Sequence, residues 1–421
     1  MKLADLFTMI VGPDVDIGFS AYDGSRAGNP ASDVRIELRS PRALSYLAQA
    51  PGQLGVARAY VMGDLDVEGD LYELFLRLGH VRTSHLSRSD YVTIGRELAP
   101  ALTKRAPAPP EEIRLGGRLH SLRRDASAIS HHYDVSNRFY RWVLGPSMAY
   151  TCAVYPTLDA TLDEAQEEKF DLVCRKLGLE PGMRLLDVGC GWGGMVLHAV
   201  KNYGVSAIGV TLSQQQASWG QQAIADAGLE GVAQIRHADY RSVSEGGFDR
   251  VSSIGLTEHI GKAHYDDYFA FLRSKLRDGG RLLNHSITRT STTQATRTSR
   301  GFINRYIFPD GELVHVGHLI DRMEHQQLEV RHEENLREHY AMTLRDWVRN
   351  LEDHWDEAVE EVGWRKARVW RLYLVASRWG FETNRIQLHQ VLATRTPTST
   401  TSTGPDALPA GDADVPLRPW F

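Results

Sequence analysis

The chain reads as an α/β protein whose larger part is a doubly wound parallel sheet with a helical cover, preceded by a small α/β domain. Three observations predict it. Short apolar runs at 184–188, 206–210 and 250–254 recur with helical stretches between them, the pattern of parallel strands joined by crossover helices. The first run empties into Gly189-Cys190-Gly191-Trp192-Gly193-Gly194, and a glycine turn at the carboxyl end of a strand is where such a sheet binds its ligand. The balance of 42% hydrophobic and 24% charged residues over 421 positions is that of a globular chain of two or three domains.

Taken in order, residues 1–100 form the small domain. Val34, Ile36 and Leu38 alternate with polar residues as in a strand, and two helix-like apolar stripes follow. Residues 101–129 read as a linker, because Ala106-Pro107-Ala108-Pro109-Pro110 cannot continue a helix. Near its end Ile113, Leu115, Leu119 and Leu122 are interspersed with Arg114, Arg118, Arg123 and Arg124. Such a helix either lies on an anionic bilayer surface, where apolar insertion and lipid charge add, or is a solvated interdomain helix. The doubly wound domain occupies 130–395. Gly279-Gly280 turns into a further strand through Arg281 to His285, and the Trp-rich stretch from Met342 to Trp379 is helical. Residues 396–421, rich in Thr, Ser, Pro, Gly and Ala, read as a disordered tail.

Several function classes drop out. No run approaches the ~18–20 apolar residues of a membrane span, and the first thirty residues lack the layout of a secretory signal, so a cytoplasmic protein is expected. Three cysteines, Cys152, Cys174 and Cys190, make no disulfide framework. A formal charge of −5 argues against general nucleic-acid binding. Asp64 to Gly69 starts like a calcium loop, but the twelfth position is Phe75 where a bidentate Glu is required. His315 and His318 lack the spacing of a zinc hydrolase. No metal is expected.

On spacing alone Gly189, Gly191 and Gly194 fit a dinucleotide loop, which keeps a nicotinamide oxidoreductase in view. A dinucleotide site places a carboxylate on the ribose about twenty residues later. Here that region, Gly209 to Gln216, has none. Asp239-Tyr240 instead stands ready to meet an adenine, and Asp187 precedes the glycines as in S-adenosylmethionine methyltransferases.

Further segments make the chain resemble the cyclopropane-fatty-acid synthase family, which includes the mycolic-acid cyclopropane synthases. They are His132-Tyr133-Asp134-Val135-Ser136-Asn137 with Tyr150-Thr151-Cys152-Ala153, then Thr257-Glu258-His259-Ile260-Gly261, then Asn304 through Gly311, and finally Gln387-Leu388-His389-Gln390-Val391. With the glycine loop they stand in the family's order over about 130–395, and Gly55 to Gly63 is similar to the amino-terminal domain of the phospholipid-acting members.

The resemblance implies a Rossmann-like methyltransferase sheet and transfer of a one-carbon unit from S-adenosylmethionine to the cis double bond of an unsaturated phospholipid acyl chain. Methyl transfer leaves a carbocation, and loss of a proton from the new methyl group closes a cyclopropane ring. Members of the family hold a bicarbonate or carbonate ion as the base. Matched position by position, that anion falls on the backbones of Cys152 and Ile287 and the side chains of Glu258, His285 and Tyr340. The Cys152 thiol is expected to do no chemistry. Tyr150, Thr151, Asp187, Gly189, Gly191, Thr211, Gln216, Asp239 and Tyr240 are expected at the cofactor, with Gln216 replacing the usual ribose carboxylate.

Three departures from the family pattern stand out. Thr151 replaces Ser, Gly301-Phe302 replaces Pro-Trp, and His389 replaces Trp. The last two leave open a second outcome, an exocyclic methylene that a partner reductase would turn into a methyl branch. Two other readings stay in view, the nicotinamide enzyme and a non-catalytic lipid-binding module. The family reading implies peripheral contact with an anionic membrane and admits a homodimer.

Overall fold

The structure is a computed structural model, described here for residues 1–79, 81, 86–104, 106–113, 124, 135–290 and 301–396. It divides into two compact units that are discontinuous in sequence. One gathers the described residues of 1–113 with 301–309 and 347–380, and the other gathers 124, 135–290, 310–346 and 381–396. Two stretches inside the range 130–395 therefore cluster with the amino-terminal residues, a division that linear boundaries do not express.

The first unit is built on four strands, β1 (Gly18–Ala21), β2 (Arg26–Gly28), β3 (Arg35–Leu38) and β4 (Leu65–Glu68), in the order β2-β1-β3-β4. Asp64 to Gly69 is thus largely strand β4. Three helices, Pro41–Gln49, Gln53–Val61 and Leu71–Gly79, stand where the sequence pattern predicts two. Ser40 caps the first by accepting from the Arg42 amide, and Pro41 supplies a pre-set φ at its start. Residues 106–113, proline-rich like a linker, pack into this unit. The Tyr46 hydroxyl donates to the Pro107 carbonyl at 2.9 Å. Arg58 donates to Glu112 at 2.9 Å, and Tyr306 donates to the same carboxylate at 3.2 Å.

The second unit carries seven strands: β5 (Arg184–Val188), β6 (Ser206–Thr211), β7 (Ala233–His237), β8 (Phe248–Ile254), β9 (Leu276–Arg289), β10 (Leu328–Asn335) and β11 (Ile386–Arg395). Their order is β10-β11-β9-β8-β5-β6-β7. Strands β7, β6, β5, β8 and β9 are parallel neighbours, while β11 runs antiparallel to both β9 and β10. The chain order reverses between β5, which continues to β6, and β8 on its other side, so the sheet opens a crevice at the carboxyl ends of β5 and β8. The central strands are buried on both faces, with Leu185, Leu186 and Val188 of β5 and Val251 of β8 fully enclosed, as expected where helices cover a parallel sheet.

Candidate active site

Asp187, near the end of β5, is buried and accepts from Ser252 Oγ of β8 at 2.7 Å. Burial pushes its carboxyl up to about 6, against the Ser252 hydrogen bond and the Lys169 charge. The chain then turns sharply. Gly189 and Gly191 have φ of 80° and 54°, a region that side chains with a Cβ adopt with strain. The amides of Gly189 and Cys190 both donate to the Val210 carbonyl of β6, at 2.9 and 3.0 Å. Trp192 Nε1 donates to Asn137 Oδ1 at 2.9 Å, and its ring lies 4.8 Å from that of Tyr140. The Ser136-Asn137 motif thus has a physical role. Ser136 caps the helix Asn137–Leu144, and Asn137 clasps the glycine loop.

Beyond β6, Thr211 Oγ1 donates to Gln216 Oε1 at 2.7 Å, while Gln216 Nε2 is buried without a partner. That pairing leaves the Gln216 amide with a buried, unpartnered N–H donor just beyond the carboxyl end of β6. Tyr240 packs edge-on against Tyr268 and Phe271 at 5.5 and 5.1 Å. Burial raises the Asp239 carboxyl, but the hydrogen bonds it accepts from the Arg241 amide and guanidinium, with the charge of that guanidinium, hold its pKa below the usual range. The ring of Tyr150 meets Tyr140 at 5.8 Å. The Thr151 carbonyl accepts from Gln166 Nε2 at 2.9 Å, and its hydroxyl accepts from Lys169 Nζ at 3.2 Å.

Lys169 and Gln166 escaped the sequence reading. Lys169 is 1% exposed, its ammonium sits 3.7 Å from the Phe170 ring centroid, and burial pushes its pKa down to about 7. A signal existed. On the helix Leu162–Leu177, Lys169 falls four residues after Ala165 and four before Val173, inside the apolar stripe rather than on the polar face.

The residues expected around an anion are drawn together by hydrogen bonds from four chain segments. Glu258 sits on the short helix Thr257–Ile260 after β8, and the amide of Gly255 just before it donates to the His285 carbonyl of β9 at 2.8 Å. The Ile287 amide, two residues along β9, donates to Glu258 Oε1 at 2.6 Å. Cys152 is fully buried, with Sγ directed at the carbonyls of Ala153 and Leu336, and the Tyr340 amide donates to that same Leu336 carbonyl. The Leu336 amide reaches the Leu388 carbonyl on β11, and Leu388 pairs with Ile287. Tyr340 packs its ring 4.4 Å from Phe381.

Two polar atoms in this cluster, Glu258 Oε2 and His285 Nε2, are buried and have no hydrogen-bond partner. Burial pushes Glu258 up to about 7, against the Ile287 hydrogen bond. Burial, helped by the charges of Lys169 and Lys176, holds His285 far below its ordinary value, so it is neutral at neutral pH. Burial likewise pushes the Cys152 thiol up, which keeps it protonated and a poor nucleophile.

One expectation is corrected. Arg124 is not a free lipid-facing cation, because its guanidinium grips the Asp310 carboxylate through two hydrogen bonds of 2.6 and 2.8 Å with both side chains largely buried. Arg114, Arg118, Arg123 and His132 to Asp134 lie outside the described residues, as does the tail from 397 on. His389, which stands where the family has Trp, pairs with Ser286, the residue after His285, so strand alternation sets it on the opposite face of the sheet from His285. There its Nδ1 meets Thr288 Oγ1 at 2.7 Å, and burial pushes its pKa down to about 4.

The switch-point crevice and the glycine turn after Asp187 are those of a ligand-binding doubly wound sheet, and the comparisons give its class, an S-adenosylmethionine-dependent methyltransferase. The family described as mycolic acid cyclopropane synthetase matches residues 120–391. A probable fatty acid methyltransferase of Mycobacterium tuberculosis is 53% identical over 96% of this chain and 94% of its own length. The cyclopropane-fatty-acyl-phospholipid synthase of Escherichia coli is 36% identical over 66% of this chain and 72% of its own. Among solved structures, a cyclopropane synthase from Mycobacterium tuberculosis superposes with a TM-score of 0.62 at 32% identity, covering 66% of this chain and all of that one. A mycolic acid cyclopropane synthase complexed with SAH and CTAB gives 0.60 at 33%, over 64% of this chain and 98% of that one. The chain belongs to the cyclopropane synthase and fatty acid methyltransferase family, whose members modify lipid acyl chains with S-adenosylmethionine. The nicotinamide reading falls away.

Proposed function

We propose that the protein transfers a one-carbon unit from S-adenosylmethionine to the cis double bond of unsaturated phospholipid acyl chains and closes a cyclopropane ring, with bicarbonate as the base. One observation carries the reading: Glu258 Oε2 and His285 Nε2 are both buried and both lack a partner. Leaving such atoms unsatisfied costs about 1–3 kcal/mol each, a cost that hydrogen bonds to a polar ligand would remove. When bound, S-adenosylmethionine supplies an electrophilic methyl group and bicarbonate a base that resists alkylation.

The chain's own residues make room for an anion. Glu258, raised to about 7, carries a proton near neutrality and donates from Oε2 rather than repelling a negative ligand. Neutral His285 offers an N–H, and Tyr340 a hydroxyl. The backbones of Cys152 and Ile287 complete the set, and the Ile287 amide, engaged with Glu258 in this structure, is shared or released on binding. Gln216, Tyr240 and the glycine turn hold the cofactor, so the donor methyl is aligned with the alkene in a site closed to water. The relative named a phospholipid synthase supports the substrate class.

A second reading, a methylene product that a reductase partner would convert to a methyl branch, is favoured by the 53%-identical relative named a fatty acid methyltransferase. Mass spectrometry of lipids from cells expressing the gene, before and after mild hydrogenation, decides. Both products add one carbon, a ring survives hydrogenation, and a methylene gains two hydrogens. Lipids without the added carbon would overturn both readings.

The protein is further proposed to be a peripheral membrane enzyme of the cytoplasm, drawn to anionic lipid by Arg114, Arg118 and Arg123. Among the described residues no helix is long and apolar enough to cross a membrane. Sedimentation with anionic but not neutral vesicles, weakened by salt, is the expected result. Equal binding to both would remove the role of these arginines.

A further inference from the structure

His285 can donate to a bound anion only if its unpartnered nitrogen, Nε2, carries the hydrogen, and a neutral imidazole has just one. The sheet decides which. Gln390 of β11 is the register partner of His285 on β9, so the two side chains project from the same face. Its amide nitrogen lies 3.2 Å from His285 Nδ1, and its amide oxygen lies 2.7 Å from Nζ of Lys176. Lys176, on the helix Leu162–Leu177, is 1% exposed in its side chain and paired with Glu334 of β10.

The orientation of the Gln390 amide follows from chemistry. An ammonium only donates, so the Gln390 atom beside Lys176 must be the oxygen, and the NH2 end is left facing Nδ1. An N–H pointing at Nδ1 requires a lone pair there. The imidazole hydrogen is then on Nε2, the atom that is buried without a protein partner. Flipping the amide would set two donors against each other at Lys176 and turn Nε2 into an acceptor, unable to donate to an anion.

We propose that Gln390 is a positioning residue that fixes His285 in its Nε2–H tautomer, with the Lys176–Glu334 pair fixing Gln390 in turn. The relay itself is read from the protein alone, while its catalytic meaning rests on the proposed donor role of His285. A merely structural part for Lys176, joining the helix to β10, explains the ion pair with Glu334. It does not explain why the ammonium also grips the one amide that faces the imidazole.

The test is nitrogen NMR of the full-length protein with ring-labelled histidine, the His285 signals being identified by their absence from His285→Gln. The wild type is expected to show a protonated Nε2 and a bare Nδ1, and a protonated Nδ1 would overturn the proposal. Gln390→Glu keeps the size of the side chain and the contact with Lys176 but places an acceptor at Nδ1. It is expected to move the hydrogen to Nδ1 and to lower kcat roughly 10- to 100-fold, with the KM for S-adenosylmethionine little changed. A moved hydrogen with undiminished turnover would uphold the relay and overturn the donor role of His285 instead. Should Gln390→Glu not fold, the wild-type spectrum alone decides.

Discussion

The amide of Ile287 donates to one carboxylate oxygen of Glu258 at 2.6 Å, and the other oxygen of that carboxylate, buried beside it, has no partner. Glu258 is thus held by the strand that carries His285, with one oxygen bonded to that strand and the other buried and unpaired.

From this arrangement, Glu258→Gln and His285→Ala are each expected to lower product formation by at least about 100-fold, the usual effect of removing one preorganised hydrogen-bonding group from a reacting site. Calorimetric titration with S-adenosylmethionine should show cofactor affinity nearly unchanged. Normal turnover in either variant would remove the anion site from the mechanism.

Glu258 also predicts a pH dependence of stability. Its carboxyl is raised from 4.5 to about 7 in the folded protein, so the folded state binds the proton more tightly than the unfolded one. The stabilisation is complete below about pH 4.5 and is lost as pH rises through about 7. Urea melts without bicarbonate should show the wild type losing on the order of 2–3 kcal/mol relative to Glu258→Gln across that window. A pH-independent difference would place the group in water rather than in a buried pocket.

At the cofactor, Gln216→Leu removes the buried amide donor after β6 and is expected to weaken S-adenosylmethionine binding by about 10-fold, the equivalent of one net hydrogen bond. Gly193→Ala acts through the backbone. With φ of 87° and a Cβ that would lie 2.1 Å from Ile235 Cδ1, it is expected to cost about 1–3 kcal/mol of stability and to weaken cofactor binding as well. Thermal melts with and without cofactor distinguish the two. An unchanged affinity in Gln216→Leu would move the ribose elsewhere.

Arg124→Ala separates folding from membrane binding. Because Arg124 is committed to Asp310 within a largely buried pair, its loss should destabilise the protein by about 3 kcal/mol or more and leave anionic-vesicle sedimentation unchanged. A fall in vesicle binding at unchanged stability would return Arg124 to the lipid-facing set.

The strands β5, β6 and β8 were legible because burial on both faces leaves uninterrupted apolar runs, and the turn after β5 because glycine adopts its positive φ angles without strain. β10 and β11 were harder to read. β10 alternates Leu328, Val330 and charged residues at the sheet edge, and β11 interleaves Gln387, His389 and Gln390 with its apolar residues. Lys169 and Lys176 were hidden by their type, since a lysine on a helix ordinarily marks the solvent face.

The amino-acid order by itself determined the sheet, the glycine turn and the chemical types gathered at the site, because hydrophobic period and backbone permissiveness are local properties. The tertiary structure alone decided that Arg124 serves Asp310, that His389 turns away from His285, and that Gln390 and Lys176 stand behind that imidazole. Those relations depend on strand register and on contacts across 100 or more positions of chain, and a one-residue shift in register would reverse every face.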